Sequence, residues 1–228
     1  NITGSGDTVL QNTPSITLIS ENKGFTELVE PNNNFSTERP SSSTDGRLVA
    51  YEETDNSGIQ QIFVKDMDTG FITQITNSAD DTRGGNADSF RPRISSDGTA
   101  IVFHSKASNL IENDENGHVD VFLHRTGSQD LIRASEYLTG QEPNEGSFYP
   151  YLNFNGTLVV FESEASNLQS NGLATSGRQI FMWDLSQGGA GSIQAITDGN
   201  GESSSASIDQ SGNFVVFSSY ASNLLSPI

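Results

Sequence analysis

One segment recurs along the chain: SFRPRISSDGTAIVFHSKASNL at 89–110, SFYPYLNFNGTLVVFESEASNL at 147–168 and SSSASIDQSGNFVVFSSYASNL at 203–224, with a weaker copy, STERPSSSTDGRLVAYEE, at 36–53. A repeat constrains a fold more than any local motif does, because each copy must be one supersecondary unit that buries its faces against its neighbours. Every copy has a turn glycine at the same place, Gly46, Gly98, Gly156 and Gly212, at intervals of about 55 residues. Three copies are followed by a second pair of apolar stretches around a Gly-containing turn: QIFVKDMDTGFITQIT (61–76), DVFLHRTGSQDLIRAS (120–135) and QIFMWDLSQGGAGSIQAIT (179–197). One unit is therefore four short strands, and helical periodicity is absent.

Four-stranded units that cannot bury both faces alone point to an all-β chain, a β-propeller of about four blades in one domain spanning 1–228. The blades are expected at 36–76, 89–135 and 147–197. A fourth combines both chain ends, 203–228 paired with 7–30. There DTVLQNTPSITLIS (7–20) reads as the missing strand pair, with Asp7 falling where Asp120 falls. Such closure leaves no open sheet edge. It could be made within one monomer or by exchange between two chains.

Residues 92–123 carry the pattern P-x-I-S-x-D-G-x-x-I-V-F-x-S…D-V-F-L. This resembles the TolB-like, WD40-like propeller repeat of bacterial exported proteins, and the likeness extends over nearly the whole chain. A count of four blades departs from the six usual in TolB-type propellers. The resemblance implies a scaffold for protein or small-ligand contacts in the periplasm or outside the cell, and no particular chemistry. The opening NITGSGDTVL has neither the basic start nor the apolar core of a signal peptide, so an export signal is expected to lie upstream or to have been removed.

Composition narrows the partners. With 29 acidic and 11 basic residues the formal charge is −18, which repels nucleic acid and anionic lipid. No apolar window is long enough to insert in a membrane. The absence of cysteine rules out disulfides and thiolate sites.

Two features vary between copies and so are candidates for function. The acidic turn NDENGHVD occurs once; Asp114, Asn116 and Asp120 place oxygen side chains at positions 1, 3 and 7 around Gly117, the spacing of a compact Ca²⁺ loop, although no Glu stands at position 12. Calcium is the expected cofactor, and an Asx-rich solvated turn the alternative. ASNL, by contrast, recurs at 107, 165 and 221 and reads as structural: leucines that pack and asparagines that bond backbone.

The second feature is the innermost strand. Five and seven residues before the turn glycines stand Ser41 and Arg39, Arg93 and Arg91, Tyr151 and Tyr149, and Ser207 and Ser205. Period-two alternation turns these towards the axis. Arg39, Arg91, Arg93, Tyr149 and Tyr151 are thus expected to line an axial site for an anionic ligand or peptide terminus, unless the arginines only neutralise nearby acids.

None of the eight positions is Asp or Glu, as a propeller glycosidase would require. G-x-S-x-G is absent, and His104, His118 and His124 lack metal-ligand spacing. The expected function is a non-catalytic binding or scaffold module for a protein, peptide or small anion. A carbohydrate-binding propeller using Tyr149, Tyr151 and Trp183 is the alternative, and a glycoside hydrolase or lyase a more distant one.

Overall fold

The computed structural model describes residues 38–128, 130–136, 141–168, 177–186 and 191–224. These form fourteen strands and no helix. The first sheet is a meander of β1 (Glu38–Ser42), β2 (Leu48–Thr54), β3 (Gln60–Asp66) and β4 (Ile72–Gln74). The second is β5 (Ser89–Ile94), β6 (Ala100–Ser105), β7 (Asp120–Arg125) and β8 (Leu131–Arg133). The third is β9 (Ser147–Leu152), β10 (Leu158–Ser163), β11 (Gln179–Asp184) and β12 (Ser192–Ala195). Of the fourth sheet, β13 (Ser203–Ile208) and β14 (Val215–Ser219) are described.

The chain is a run of antiparallel blades, as the repeat requires. The stretch 7–30, expected to complete the fourth blade, lies outside the described residues. Phe214, Val216, Phe217 and Tyr220 on and around β14 are exposed.

Successive blades pack face to face, with the second strand of each against the first strand of the next: β2 on β5, β6 on β9 and β10 on β13. The core accordingly lies between blades. Ala50, Ile62, Ile94, Phe103 and Phe122 fill the space between blades one and two. Val102, Val121, Leu123, Phe161, Phe181 and Trp183 fill that between two and three. Strands sandwiched in this way lose the alternation of a half-exposed sheet, and all six residues of β6 are buried.

Short side chains repeat with the strands and fix the ends of each blade. The ASNL asparagines clamp a partner ahead of the inner strand. Asn109 accepts from the Asn86 amide at 2.8 Å while Asn86 accepts from the Ser108 amide at 2.9 Å. Asn144 with Asn167, and Asn200 with Asn223, repeat the arrangement. In blades two and three a buried serine pair ties first strand to second, Ser89 to Ser105 at 2.8 Å and Ser147 to Ser163 at 2.9 Å. At the other end, Gly156 has φ +63°, and a Cβ there would collide with Ala100 of the preceding blade, so both backbone and neighbour demand glycine.

Leu168 of the second ASNL is completely buried. Leu168→Ala is expected to lower the unfolding free energy by about 2–5 kcal/mol. Phe71→Ser, at a side chain 76% exposed, should change it by less than about 0.5 kcal/mol in the same urea titration.

Candidate axial binding site

Each inner strand breaks its pairing at the same place. The register shifts between Phe90 and Arg93 in β5, between Ser204 and Ser207 in β13, and opposite β9 between Val160 and Glu162. Arg91–Pro92, Tyr149–Pro150 and Ser205–Ala206 therefore each set two residues against one, a β-bulge. The first residue of each pair has a left-handed backbone, with φ 53° at Arg91, 54° at Tyr149 and 57° at Ser205. For a side-chain-bearing residue this is an uphill conformation that its surroundings must hold in place.

The preceding blade does so. Glu52 on β2, 1% exposed, accepts the backbone N–H of Arg91. Glu162 on β10, 3% exposed, accepts that of Ser205 at 2.8 Å. His104 has the same register position on β6 and meets the Tyr149 ring edge-on, with centroids 5.5 Å apart.

The bulges deliver the axial residues by a different route from the simple alternation expected. Arg91 lies over the Tyr149 ring at 4.4 Å, and Arg93 over the Tyr151 ring at 4.6 Å, donating to the Tyr151 hydroxyl at 3.0 Å. These four residues from two blades thus form two stacked cation–π pairs. Arg39 has its backbone in β1, but its side chain lies outside the described residues.

Beside the stacks is a cavity of 410 Å³ lined by Arg91, Tyr149, Tyr151, Glu162, Arg178 and the β13 residues Ser204–Ser207. Arg178 bonds Glu164 at 2.8 Å and Glu162 at 3.3 Å. Glu162 and Arg178 were missed by reading inner strands alone. The available signal was a glutamate at matching positions in two otherwise apolar second strands, VAYEE and VVFES. A larger cleft, 1370 Å³, opens between the outer strands of blades one and two, lined by Val64, Ile75, Leu110, Ile111 and Leu131. Its rim has six carboxylates and two arginines, no different in balance from the protein as a whole. The smaller cavity is the one whose charge departs from its surroundings.

The acidic turn is placed elsewhere, at the outer edge of blade two. Asp114 and Asp120 converge on the guanidinium of Arg133, at 3.1 and 3.5 Å, and Glu142 reaches the same nitrogen at 3.0 Å. Asn116 donates its amide to Asp120 at 2.9 Å and accepts the His118 N–H at 2.7 Å. Among the described residues no three His, Cys, Asp or Glu are arranged to hold a metal. As folded, these residues do not fit a calcium ion, because the chain supplies its own cation to the place between the carboxylates.

Burial, reinforced by the charge of Asp120 and opposed by Arg133, pushes Asp114 up to about 6. Burial also raises Asp120, against hydrogen bonds from Ser135 and Asn116. For Arg133 burial disfavours the charged form, but Asp120, Glu142 and Asp114 outweigh it and hold the pKa above its ordinary value.

The sequence matches no family model and no curated protein. The fold does have solved counterparts. A putative TolB from Agrobacterium tumefaciens superposes with TM-score 0.52 at 18% identity, over 83% of this chain and 60% of that one. TolB from Acinetobacter baumannii gives 0.50 at 17%, over 82% and 38%. The fold is that of a TolB-like β-propeller. An oligogalacturonate lyase from Vibrio parahaemolyticus gives 0.50 at 12%, over 80% of this chain and 45% of the lyase. This TolB-like chain thus spans less than two thirds of the length of each of these solved proteins. At such identities the shape is shared by a TolB and a lyase alike, and the shape alone does not assign an activity.

Removing Arg133 would leave Asp114 and Asp120 buried without their cation. Arg133→Met is therefore expected to cost about 3–5 kcal/mol by chemical denaturation. Millimolar calcium should leave the wild-type melting temperature unchanged relative to chelator. The raised pKa of Asp114 means that the folded state binds more protons than the unfolded state, whose carboxyl titrates near 3.8. The contribution of this group to stability is thus favourable near pH 4 and is lost as pH rises through about 6. Asp114→Asn should flatten that fall between pH 4 and 6.5 in a series of urea midpoints.

Proposed function

We propose that the chain is a non-catalytic binding module of an exported bacterial protein, acting in the periplasm or outside the cell, and that its axial face takes an anionic ligand or the acidic part of a partner. One observation carries this reading. Arg91 and Arg93 have no carboxylate within ion-pair distance among the described residues, in a protein of net charge −18. Arg47, Arg133 and Arg178 pair with acids, and Arg83 and Arg125, which like Arg91 and Arg93 have no such pair among the described residues, are not stacked on tyrosine rings. Two guanidinia lying over tyrosine rings with no acidic partner, one of them donating to the Tyr151 hydroxyl, retain N–H groups for a carboxylate or phosphate. The stacking fixes them in advance and lowers the entropy lost on binding.

The non-catalytic part of the reading is supported by how the nearby carboxylates are used. Glu162 accepts from Ser205 and Arg178, and Glu52 from Arg91 and Gln60. Both are tied into the backbone of the next blade, whereas glycosidic acid–base chemistry needs a carboxyl pair facing the substrate. The fold counterparts, a TolB and an oligogalacturonate lyase alike, share the shape and leave the choice of role to the site itself.

Titration calorimetry with citrate as anionic probe and glycerol as neutral control tests the proposal. Citrate is expected to bind and glycerol not to. The double variant Arg91→Asn, Arg93→Ala should bind citrate at least about tenfold more weakly, each charge-assisted bond contributing about 1.5–3 kcal/mol. Asparagine at 91 tolerates the left-handed backbone, so the melting temperature should be retained. Equal citrate binding by a folded double variant overturns the reading.

A further inference from the structure

The cavity beside the tyrosines exists because one inner strand departs from the pattern of the others. Where β5 carries Phe90, Arg91 and Arg93, and β9 carries Phe148, Tyr149 and Tyr151, β13 carries Ser204, Ser205 and Ser207. Around the axis the stacks run from Arg91 to Tyr149 and from Arg93 to Tyr151. At the next blade, where a third bulky side chain would continue each row, the described residues place a serine and the 410 Å³ cavity, with Arg178 reaching over the Tyr149 ring at 5.9 Å.

The groups bordering that space form a specific set. Arg91 contributes a cation with no acidic partner among the described residues, while the charge of Arg178 is met by Glu162 and Glu164. Among the residues that line the cavity, two arginines stand against one glutamate. The hydroxyls of Ser204, Ser205, Ser207 and Tyr149 have no hydrogen-bond partner among the described residues, and each can donate and accept. Tyr151 adds ring surface, one side of it covered by Arg93. A bare phosphate would use the cation and ignore the ring. A flat apolar ring would use the tyrosines and strand the hydroxyls.

Building on the anion-binding reading, we infer that this cavity is a subsite for a sugar acid: a single hydroxylated ring with one carboxylate. The carboxylate meets Arg91, the ring lies against Tyr149 and Tyr151 in the row that β13 leaves open, and the ring hydroxyls exchange hydrogen bonds with Ser204, Ser205 and Ser207. Recognition needs both halves, because each unpaired polar group of the site is satisfied by a different part of the ligand.

Ligand-observed NMR and calorimetry on the intact protein test this with four probes: glucuronic acid, glucose, acetate and an Asp-Asp dipeptide. The expected result is that glucuronic acid binds at least about tenfold more tightly than each of the other three. Arg91→Asn should abolish its advantage over glucose. Ser207→Val, which removes a hydroxyl and fills part of the cavity while leaving the arginines in place, should abolish its advantage over acetate. If acetate or the dipeptide binds as well as glucuronic acid and binding still depends on Arg91, the sugar-acid assignment falls and anion binding stands. If glucose matches glucuronic acid, or no probe binds, both fall. Circular dichroism of each variant identifies any that fails to fold, and for position 207 Ser207→Ala, which deletes the hydroxyl without adding bulk, then takes its place with the same expected loss.

Discussion

The interaction on which the axial face depends is a hydrogen bond from a strained amide in one blade to a buried carboxylate in the one before. Arg91 and Ser205 have left-handed backbones that their side chains disfavour, and Glu52 and Glu162 hold their N–H groups. A charged acceptor with so little exposure is costly unless its oxygens are engaged. Both glutamates use the second oxygen as well, one on Gln60 and the other on Arg178. No blade can therefore shape its own contribution to the axis. The inner strand is bent by its neighbour, and the axial side chains take their places only once two sheets have packed.

The same dependence explains why one blade alone has an acidic turn. At the start of the third strand in blades one and two a polar side chain meets a hydroxyl that follows the fourth strand. Thr76 donates to Gln61 at 2.6 Å and Ser135 to Asp120 at 2.7 Å. Thr197 stands at the corresponding position in blade three, where Gln179 bonds the Gly199 and Gly201 carbonyls. Blade one makes this latch with a neutral glutamine, and blade three has a glutamine and a threonine at the same two positions. Blade two makes it with a carboxylate, and opposite Phe122 in the ladder it places Arg133, where Gln74 and Ala195 stand in the others. The arginine balances Asp120, and Asp114 and Glu142 then gather around the arginine. Within the acidic turn, the contact between Asp120 and Ser135 is thus a charged version of the Gln61–Thr76 latch of blade one.

Net charge and local charge point in opposite directions along this chain. Twenty-nine acids keep the surface negative, yet Arg91 and Arg93 remain without acidic partners on the axial face because their neighbours there are rings and hydroxyls. Stacking on tyrosine lets a guanidinium keep a fixed direction without spending its hydrogen bonds on a carboxylate. In a negative field, an anion finds such a place only if it is small enough to enter and has partners for more than its charge.

Periodicity by itself determined the blade: the spacing of Gly46, Gly98, Gly156 and Gly212, the alternating strands, and the structural role of ASNL all follow from a unit that must pack on copies of itself. It also singled out Arg91, Arg93, Tyr149 and Tyr151, because variable residues at a fixed register position in a repeat stand apart from those the fold needs. Tertiary structure decided what those positions do. Pro92 and Pro150 gave a hint of irregular strands, but only the register shows the bulges. Glu162 and Arg178 reach the axis from a second and a third strand, across a sheet boundary that linear spacing does not reveal. Arg133 enters the acidic turn from 13 residues beyond Asp120, across the β7–β8 hairpin. The Glu162–Ser205 contact joins two blades and the Arg133–Asp120 contact two strands of one hairpin, and in both which side chain fills a space is set by packing in three dimensions rather than by the order of letters.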